Sequence, residues 1–283
     1  MHVLDIHKDI RYGYEMEAKQ KSEGASGMRN TLTYAELDAF KQNGYLVLRG
    51  VFSREETLLW KAETNRLLHL DERIINPLNV RVGFRKNGDL STIEKFDPLV
   101  DISPVFDELA KDERILTPLR DIYLDEPLLF KDKLIFKLPG VSGYTMHQDA
   151  AFWQGFPFEG LISVMVAVDG ASRANGGLEL FPGYHDRFRS TPGELRNFNA
   201  EEIAQIDLTT GNLVETEPGD LILFHSLTPH RSGPNTADYS RTQLYLTYSP
   251  SRNGQLYKAH YQHFVRYGSR HKTEETVNQS YFL

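Results

Sequence analysis

The amino-acid sequence predicts a mainly β protein with flanking helices. Helix-start signals concentrate before residue 125, six apolar strand-like segments follow, and Gly, Pro and Asn turns separate those segments. Two sheets that close into a sandwich or barrel would bury the apolar faces of the strands, with the helices packed outside. The 283 residues, 40% of them hydrophobic, suffice for one substantial core, so we expect a single domain from residue 31 to residue 283.

The chain begins with a segment that shows no sign of regular structure. Residues 1–30 mix charges with Gly, Ser and Gln and carry no lasting apolar period, which predicts a loosely ordered arm. Two helices are predicted next, from capping boxes in which a Thr or Ser precedes a Glu by three residues, at residues 33–36 and 53–56. Between the two boxes, residues 45–50 have the composition of a strand.

Helical signals continue to about residue 125. Ser103 followed by Pro104 is typical of a helix start, and a second helical stretch extends to Leu124. Residues 73–100, in contrast, contain turn residues and clustered charge with little periodicity. We interpret this segment as a loop that could cover a site.

The β core is predicted at about residues 126–250. Its strand-like segments are rich in Val, Ile, Leu, Phe and Tyr and lie at residues 128–138, 161–168, 178–181, 212–216, 221–224 and 243–248. Beyond the core, residues 251–283 are predicted to contain a helix, because Tyr257 and Tyr261 recur at helical spacing. We interpret that helix as a packing element.

Composition excludes several kinds of site and partner. The chain has no cysteine, which excludes disulfides, thiolate metal sites and cysteine nucleophiles, so any metal must be held by nitrogen and oxygen ligands. A formal charge of −7 argues against nucleic acid or an anionic membrane as the main partner. The N-terminus lacks the apolar core of a signal peptide, so we expect a cytoplasmic protein.

One His-x-Asp pattern is a candidate metal-binding motif. Ten His and eighteen Asp in 283 residues predict roughly 0.6 such patterns by chance, and the chain has three. The patterns at His7 and His69 lie in the polar arm and at the end of a predicted helix. His147-Gln-Asp149 follows strand-forming residues, and in extended backbone residues i and i+2 project from the same face. The imidazole and the carboxylate could then hold one cation.

A third ligand is predicted downstream. His230 follows a strand, and Arg241 stands eleven residues later at the start of another apolar strand. Two imidazoles and one carboxylate leave the opposite face of a metal open, as in the facial triad of non-haem Fe(II) oxygenases. His225 is the chief rival to His230, but it continues the strand and is interpreted as structural or as part of a pocket wall.

These features, in their order along the chain, resemble those of the phytanoyl-CoA dioxygenase family of Fe(II)/2-oxoglutarate oxygenases. The turn at Asn175-Gly176-Gly177 and the following Phe-Pro182-Gly-x-His185 are similar to the family's signature turn. The family's metal ligands and its anchors for the far carboxylate of 2-oxoglutarate have matches at His147, Asp149, His230, Ser232 and Arg241. The resemblance covers residues 33–250 and implies a double-stranded β-helix, or jelly-roll, core.

The resemblance also implies an activity and its cofactors. Fe(II) would bind His147, Asp149 and His230, with 2-oxoglutarate and dioxygen as cosubstrates, and a substrate C–H bond would be hydroxylated with release of succinate and carbon dioxide. Asp149 favours hydroxylation, because related halogenases have a small residue there. Lys137 is a candidate cosubstrate residue, with a solvated strand position as the equal alternative. Met165 stands where some members have a tryptophan beside the cosubstrate.

Several further residues are candidates for contact with the substrate. The aromatic residues that flank the first two ligands are predicted either to wall a pocket or to fill the core, and they are Tyr144, Phe152 and Trp153. The basic residues of the aperiodic segment either form a solvated run or bind an anionic substrate, and they are Arg81, Arg85 and Lys86.

The predicted function is hydroxylation of a small anionic or zwitterionic molecule such as an aminophosphonate. Two alternatives remain at this stage: an acyl-CoA hydroxylase of the same family, and a cupin-like metal-binding protein without catalytic activity. Arg241 argues against the second alternative, because a protein that only binds metal has no need of an anchor for 2-oxoglutarate.

Overall fold

The structure is a computed structural model, and it describes residues 31–70, 81–87 and 90–268. The α-helices within these ranges are α1 (Tyr34–Asn43), α2 (Arg54–Leu68), α3 (Pro104–Leu109), α4 (Glu113–Tyr123), α5 (Ala200–Ile203) and α6 (Tyr257–Gly268). The strands are β1 (Tyr45–Leu48), β2 (Val82–Asn87), β3 (Leu90–Phe96), β4 (Pro127–Lys137), β5 (Tyr144–His147), β6 (Ile162–Ala167), β7 (Leu178–Leu180), β8 (Asn212–Val214), β9 (Leu221–His225), β10 (His230–Ser232) and β11 (Arg241–Pro250). The predicted arm at residues 1–30 lies outside the described residues.

Two antiparallel sheets form the core of the fold. The larger sheet has the strand order β1-β9-β6-β11-β4-β3-β2, and the smaller has the order β5-β10-β7-β8. Neighbouring strands are often far apart in sequence, for example β1 beside β9 and β4 beside β11. This order is expected when a chain passes back and forth between two facing sheets. The predicted mainly β fold with a jelly-roll core is confirmed.

The centre of the larger sheet is buried on both faces. Every residue of β6 and β11 is buried. On β6, Val164 and Val166 belong to the hydrophobic core that includes the helices, whereas Met165 and Ala167 belong to a second core between the sheets. Burial on both faces explains why these strands read as continuous apolar runs rather than as an alternating pattern.

The N-terminal helices start where the sequence predicts. Thr33 and Ser53 cap α1 and α2, and both capping boxes are complete, with the Glu side chain at the third helical position accepting from the backbone N–H of the cap. Phe40 and Trp60 from these helices are buried against the larger sheet's apolar core. The helices therefore cover the outer face of that sheet.

The aperiodic segment contains a β-hairpin, which corrects its interpretation as a loop. Strands β2 and β3 pair with each other, and β3 adds to the edge of the larger sheet through Lys95 opposite Ile135 and Phe96 opposite Leu134. The charged residues that obscured the strand pattern are typical of an edge strand, where charge discourages pairing with another chain. Residues 71–80 and 88–89 lie outside the described residues.

The predicted C-terminal packing helix is confirmed. Helix α6 lies against β4, and the hydroxyl of Tyr261, which is fully buried, donates to the carbonyl of Asp132 at 2.8 Å. Residues 269–283 lie outside the described residues. In the part of the chain that the structure describes, no helix combines the length and the apolar character that crossing a membrane requires.

Candidate metal centre

The pairing of β5 with β10 brings two histidines together. His147 ends β5, His230 begins β10, and the two residues are direct partners in the antiparallel ladder, with ring centroids 4.2 Å apart. Gln148 keeps an extended backbone, and Asp149 then begins a 3-10 turn. Its Oδ1 atom lies 3.7 Å from Nε2 of His147 and 3.9 Å from Nε2 of His230. One ligand atom from each of the three residues falls within 4.8 Å of the others.

Backbone carbonyls hold both imidazoles in the orientation that a metal requires. Nδ1 of His147 lies 2.8 Å from the carbonyl oxygen of Thr145, and Nδ1 of His230 lies 2.9 Å from that of Thr228. A carbonyl can only accept, so Nδ1 of each ring carries the hydrogen and donates it. In the neutral ring, Nε2 is then left with a lone pair for a metal.

Burial keeps both imidazoles neutral. It lowers the pKa of His147 to about 3, with the neighbouring His230 acting in the same direction. It also lowers the pKa of His230, although the Asp149 carboxylate opposes the shift. Because a metal binds the unprotonated nitrogen, both rings are in the state that binding needs at neutral pH.

The Asp149 carboxylate is buried and ionised. Burial opposes its ionisation, but the positive charge of Lys133 and the hydrogen bond from Ser163 favour the carboxylate, and the pKa of Asp149 lies below its usual value. Ser163 donates to Oδ2 at 3.2 Å and is itself 2.9 Å from the Thr247 hydroxyl. Sequence reasoning did not identify Ser163, because its role depends on how β6 faces the turn at Asp149. Two imidazoles and one carboxylate fit the ligand set that Fe(II) takes in a facial triad.

Arg241 lies in the same cavity and has no acidic partner there. Its side chain is 2% exposed, and burial lowers the pKa of its guanidinium. Nη1 donates to the side-chain oxygen of Gln243. Among the described residues, none accepts a hydrogen bond from Nε, and no Asp or Glu forms an ion pair with the guanidinium. A buried guanidinium in this condition fits an anionic ligand that supplies the missing acceptors.

Ser232 lines the cavity, and Lys137 lies behind it. The Lys137 ammonium donates to Ser232 Oγ at 2.7 Å, to the Gly233 carbonyl at 2.8 Å and to the Gly176 carbonyl at 3.2 Å. Ser232 Oγ also accepts from the backbone N–H of Tyr144 at 3.2 Å. Since the hydroxyl already accepts twice, its own hydrogen is available to an acceptor in the cavity. Burial, with the nearby arginine charges, lowers the pKa of Lys137 to about 7.

The cavity includes residues that sequence reasoning missed. The register of β4 against β11 places Lys137 opposite Arg241, Ile135 opposite Gln243 and Lys133 opposite Tyr245. The lining residues on and around these strands are Lys133, Ile135, Tyr144, His147, Asp149, Leu178, Phe224, His230, Arg231, Ser232, Arg241 and Tyr245. Met165 is fully buried in the adjoining hydrophobic core. The strands themselves were predicted, but only their pairing shows which side chains face the cavity.

Tyr144 forms part of the cavity wall, and a group from the hairpin holds it there. Its hydroxyl donates to Glu94 Oε1 at 2.6 Å. Arg85 forms an ion pair with Glu94, and its guanidinium carbon lies 4.9 Å from the centroid of the Tyr144 ring. Arg85 also donates to the carbonyl and hydroxyl of Ser142, both at 2.9 Å. It therefore supports the wall and does not line the cavity.

The two aromatic residues after Asp149 lie on different sides of the chain. Phe152 is 40% exposed, and its ring packs edge-on against His147 with centroids 5.8 Å apart. Trp153 is buried against Phe130, with centroids 5.5 Å apart, in a separate hydrophobic cluster. Of the two alternatives left open for Trp153, the structure supports core filling.

Arg81 and His225 lie outside the cavity. Arg81 is buried and forms a bidentate ion pair with Asp101, so its guanidinium is paired away from the cavity and is not part of a solvated run. Nδ1 of His225 accepts from the backbone N–H of Leu227 at 3.1 Å, and its ring lies 5.7 Å from that of His185. The structural interpretation of His225 therefore agrees with its position. The side chain of Lys86 lies outside the described residues.

Comparison with known proteins identifies a matching family. The profile of a family described as phytanoyl-CoA dioxygenase (PhyH) matches residues 40–243, which are 204 of the 283 residues. This range includes His147, Asp149, His230 and Arg241.

Individual relatives match most of the chain. A 2-aminoethylphosphonate dioxygenase from an uncultured bacterium is 28% identical over 228 residues, which cover 79% of this chain and 84% of the relative. A methylphosphonate hydroxylase from Gimesia maris is 28% identical over 244 residues, which cover 83% of this chain and 87% of the relative. An ectoine dioxygenase from Streptomyces avermitilis is 25% identical over 247 residues.

Solved structures share the fold. The crystal structure of EctD from S. alaskensis with 2-oxoglutarate and 5-hydroxyectoine superposes with a TM-score of 0.70 at 22% identity, and covers 81% of this chain and 80% of that chain. The same protein with bound Fe gives a TM-score of 0.69. At this level of identity the likeness supports the fold.

Proposed function

This chain belongs to the phytanoyl-CoA dioxygenase family and is a 2-oxoglutarate-dependent dioxygenase that uses iron, and on that premise we propose that it hydroxylates a small anionic or zwitterionic molecule such as an aminophosphonate. The proposal depends on the observation that a set of potential metal ligands and a buried cation line the same cavity. The ligand triad of His147, Asp149 and His230 stands in it beside Arg241, a buried guanidinium without an acidic partner among the described residues.

In this proposal the triad holds iron on one face of the cavity. His147 and His230 present Nε2, and Asp149 presents a carboxylate that Ser163 orients from behind. When bound together, iron, 2-oxoglutarate and dioxygen supply the conversion of a substrate C–H bond to C–OH, with 2-oxoglutarate converted to succinate and carbon dioxide. The protein's contribution is to fix the ligands and to leave the opposite face open.

Arg241 and Ser232 bind the far carboxylate of 2-oxoglutarate in this proposal. A guanidinium provides parallel N–H donors that match a carboxylate, and the Ser232 hydroxyl has a hydrogen to donate because its oxygen accepts from Lys137 and Tyr144. Lys137 is then a positioning residue, because it acts on the cosubstrate through Ser232.

Part of the cavity wall is apolar. Ile135, Leu178 and Phe224 line the cavity and belong to the hydrophobic core between the sheets. Apolar walls exclude water, which strengthens the interactions of the few charged groups inside. Such walls would limit the access of solvent to a bound substrate.

The substrate class is supported by the relatives and by charge. The relatives named 2-aminoethylphosphonate dioxygenase, methylphosphonate hydroxylase and ectoine dioxygenase are all named for small charged molecules. Each matches this chain at 28% identity or less, so the particular substrate is a proposal for this protein. Cationic side chains in the cavity favour a substrate with an acidic group.

The proposal is tested by assaying succinate release with Fe(II), 2-oxoglutarate and candidate substrates from the phosphonate, amino-acid, betaine and acyl-CoA classes. We expect a phosphonate or another small acid to stimulate release in the wild type. Asp149→Ala should lower turnover by more than the roughly 10–100-fold that loss of an outer-shell partner of a metal ligand costs. Asp238→Ala, which changes an exposed carboxylate, is the matched control. Wild-type turnover in Asp149→Ala would contradict the proposed metal centre.

A further inference from the structure

Strand β4 carries three lysines, and their surroundings differ. Lys131 is buried and pairs with Asp97. Lys137 is buried and donates to Ser232 and to two backbone carbonyls. Lys133 is half-buried and lines the cavity, and within the part of the chain that the structure describes its ammonium forms no hydrogen bond and no ion pair. Two of the three ammonium groups therefore have structural partners, and the third faces the cavity.

Lys133 lies on the side of the cavity that holds the metal centre. It stands opposite Tyr245 in the ladder, with Nζ 5.1 Å from the centroid of the Tyr245 ring. The ring of Phe224 packs against both Tyr245 and His230, with centroids 6.5 Å and 5.0 Å away. Arg241 begins the same strand β11, four residues earlier, which corresponds to roughly 13 Å along an extended backbone. The cavity is thus lined by two cations at different positions along the sheet.

The charge balance of the cavity favours one further anion. The negative charge of Asp149 offsets one of the two positive charges of Arg241 and Lys133. The charge of Arg231 is already offset by its ion pair with Glu179. Iron(II) and a doubly ionised 2-oxoglutarate would cancel each other. Among the side chains that line the cavity one positive charge then remains, in addition to the Lys137 ammonium behind Ser232. A cation without a counter-ion is unfavourable in a partly buried cavity. A substrate with an acidic group would offset that cost.

We propose that Lys133 anchors the acidic group of the substrate, so that the substrate is a compact organic acid whose reacting carbon lies close to its oxyanion. This inference rests on the proposed function. The Lys133 ammonium has three donors for a phosphonate, sulfonate or carboxylate oxygen. Because Lys133 and the triad line the same side of the cavity, an acid held by Lys133 would have its nearest C–H bonds close to a metal that the triad holds.

Three variants test this assignment. Lys133→Met removes the charge and keeps much of the volume, Lys133→Arg keeps the charge, and Lys111→Met removes an exposed lysine on α3's C-terminal side as the matched control. The probes are 2-aminoethylphosphonate, 2-aminoethanesulfonate and β-alanine, which share an aminoethyl chain and differ in the acidic group, so their ranking identifies the preferred oxyanion. Methylphosphonate completes the set as an acid without the amine.

Two readouts separate the substrate from the cosubstrate. Anaerobic titration of the visible band of the Fe(II) and 2-oxoglutarate complex reports the affinity for 2-oxoglutarate, and substrate-stimulated succinate release reports KM and kcat. We expect Lys133→Met to raise the KM for the preferred acid by about 10- to 100-fold, the range for loss of a charge-assisted hydrogen bond, while 2-oxoglutarate affinity changes by less than about threefold. Lys133→Arg should recover part of the loss, and Lys111→Met should resemble the wild type.

The contrary results are distinct from failure of the proposed function. A tenfold loss of 2-oxoglutarate affinity in Lys133→Met at unchanged KM for the acid would assign Lys133 to the cosubstrate and overturn the inference. The inference is also wrong if none of the four acids perturbs the anaerobic band or stimulates succinate release in the wild type. Absence of the band itself in the wild type would instead overturn the proposed function.

Discussion

Two groups of buried charge in this protein contrast in how they are satisfied. One is the cavity, where Arg241 and Lys133 have no acidic partner among the described residues. The other, which we call the α6 cluster, lies where helix α6 meets β4. Its members satisfy one another and nearby backbone groups, and they are Asp97, Lys131, Asp132, Tyr257 and Tyr261.

The α6 cluster shows what structural charge looks like in this fold. Lys131 pairs with Asp97, and the Tyr261 hydroxyl lies 3.1 Å from Asp97 Oδ1. Asp132 accepts from the backbone N–H of Leu99 at 2.6 Å and from the Tyr257 hydroxyl at 2.7 Å. Perturbed pKa values occur in both groups, so perturbation alone does not identify a functional site. The lack of an acidic partner distinguishes the cavity from the α6 cluster, because a buried charge without a partner fits a ligand of opposite charge.

The largest effect is expected from breaking the ion pair of the α6 cluster. Lys131→Met leaves Asp97 buried without its nearest cation, and we expect it to lower the free energy of unfolding by about 3–5 kcal/mol. Urea unfolding followed by circular dichroism measures this change. Turnover per folded molecule should stay near the wild-type value, because Lys131 does not line the cavity.

Lys133→Met provides the matched comparison, since it removes a lysine two residues away on the same strand. It should leave the free energy of unfolding within about 0.5 kcal/mol of the wild-type value, as for most substitutions that break no buried pair. If the two variants lost stability equally, the distinction between partnered and unpartnered charge would be wrong.

The next effect is on cosubstrate binding. Arg241→Met should weaken 2-oxoglutarate binding by about 10- to 100-fold, because a charge-assisted hydrogen bond contributes about 1.5–3 kcal/mol. The free energy of unfolding should not fall, since the variant removes a buried cation that has no ion pair among the described residues. Anaerobic titration of the Fe(II) complex and urea unfolding measure the two quantities.

Arg241→Lys distinguishes charge from geometry in the same experiment. It keeps the charge but loses the parallel donors of the guanidinium, so it should bind 2-oxoglutarate more weakly than the wild type and more tightly than Arg241→Met. Unchanged affinity in both variants would remove Arg241 from the cosubstrate site.

The smallest effect is a pH dependence of stability. Burial raises the pKa of Asp132 to about 6, so the folded protein keeps a proton that the unfolded chain loses near its ordinary pKa of 3.8. Between these values the folded state binds more protons, and stability contributed by this group falls as the pH rises. Asp132→Asn removes this dependence. As the pH rises from about 4 to about 7, the free energy of unfolding of the variant should increase relative to that of the wild type by on the order of 2 kcal/mol.

Urea unfolding of both proteins across that pH range measures the difference. Asp238→Asn, at an exposed carboxylate, serves as the control and should follow the wild type. A stability difference between Asp132→Asn and the wild type that stayed constant with pH would show that Asp132 is ionised throughout.

Local sequence signals predicted the elements whose causes are local. Each capping box occupies four consecutive residues, so the starts of α1 and α2 could be read directly. The hairpin of β2 and β3 could not, because β3 is held by pairing with β4, and the outer strand β2 carries edge charges such as Arg85. Trp153 lies four residues from Asp149, but the 3-10 turn between them directs it into another cluster.

The order of motifs in the sequence predicted the candidate metal ligands, but not which basic residues line the cavity. Sequence order identified His147, Asp149 and His230 as candidate ligands, and the structure places them together. Arg81 and Arg241 look alike in sequence, and what separates them is Asp101, a partner twenty residues from Arg81. Lys133 was missed because Lys131, Lys133 and Lys137 occupy odd-numbered positions of one strand, and only their partners in the structure distinguish them.

The contact between Lys137 and the Gly176 carbonyl has a consequence for reading mutational maps. Gly176 has φ of +76°, and a Cβ there would lie 2.5 Å from the Gly233 carbonyl oxygen and 2.9 Å from Lys137 Nζ. Any side chain would therefore displace the ammonium that supports Ser232. In a saturation-mutagenesis survey, substitutions at position 176 should lower activity as substitutions of the metal ligands do, although Gly176 contacts no reactant. The low activity would then reflect a steric effect transmitted through Lys137 and not a chemical role of residue 176.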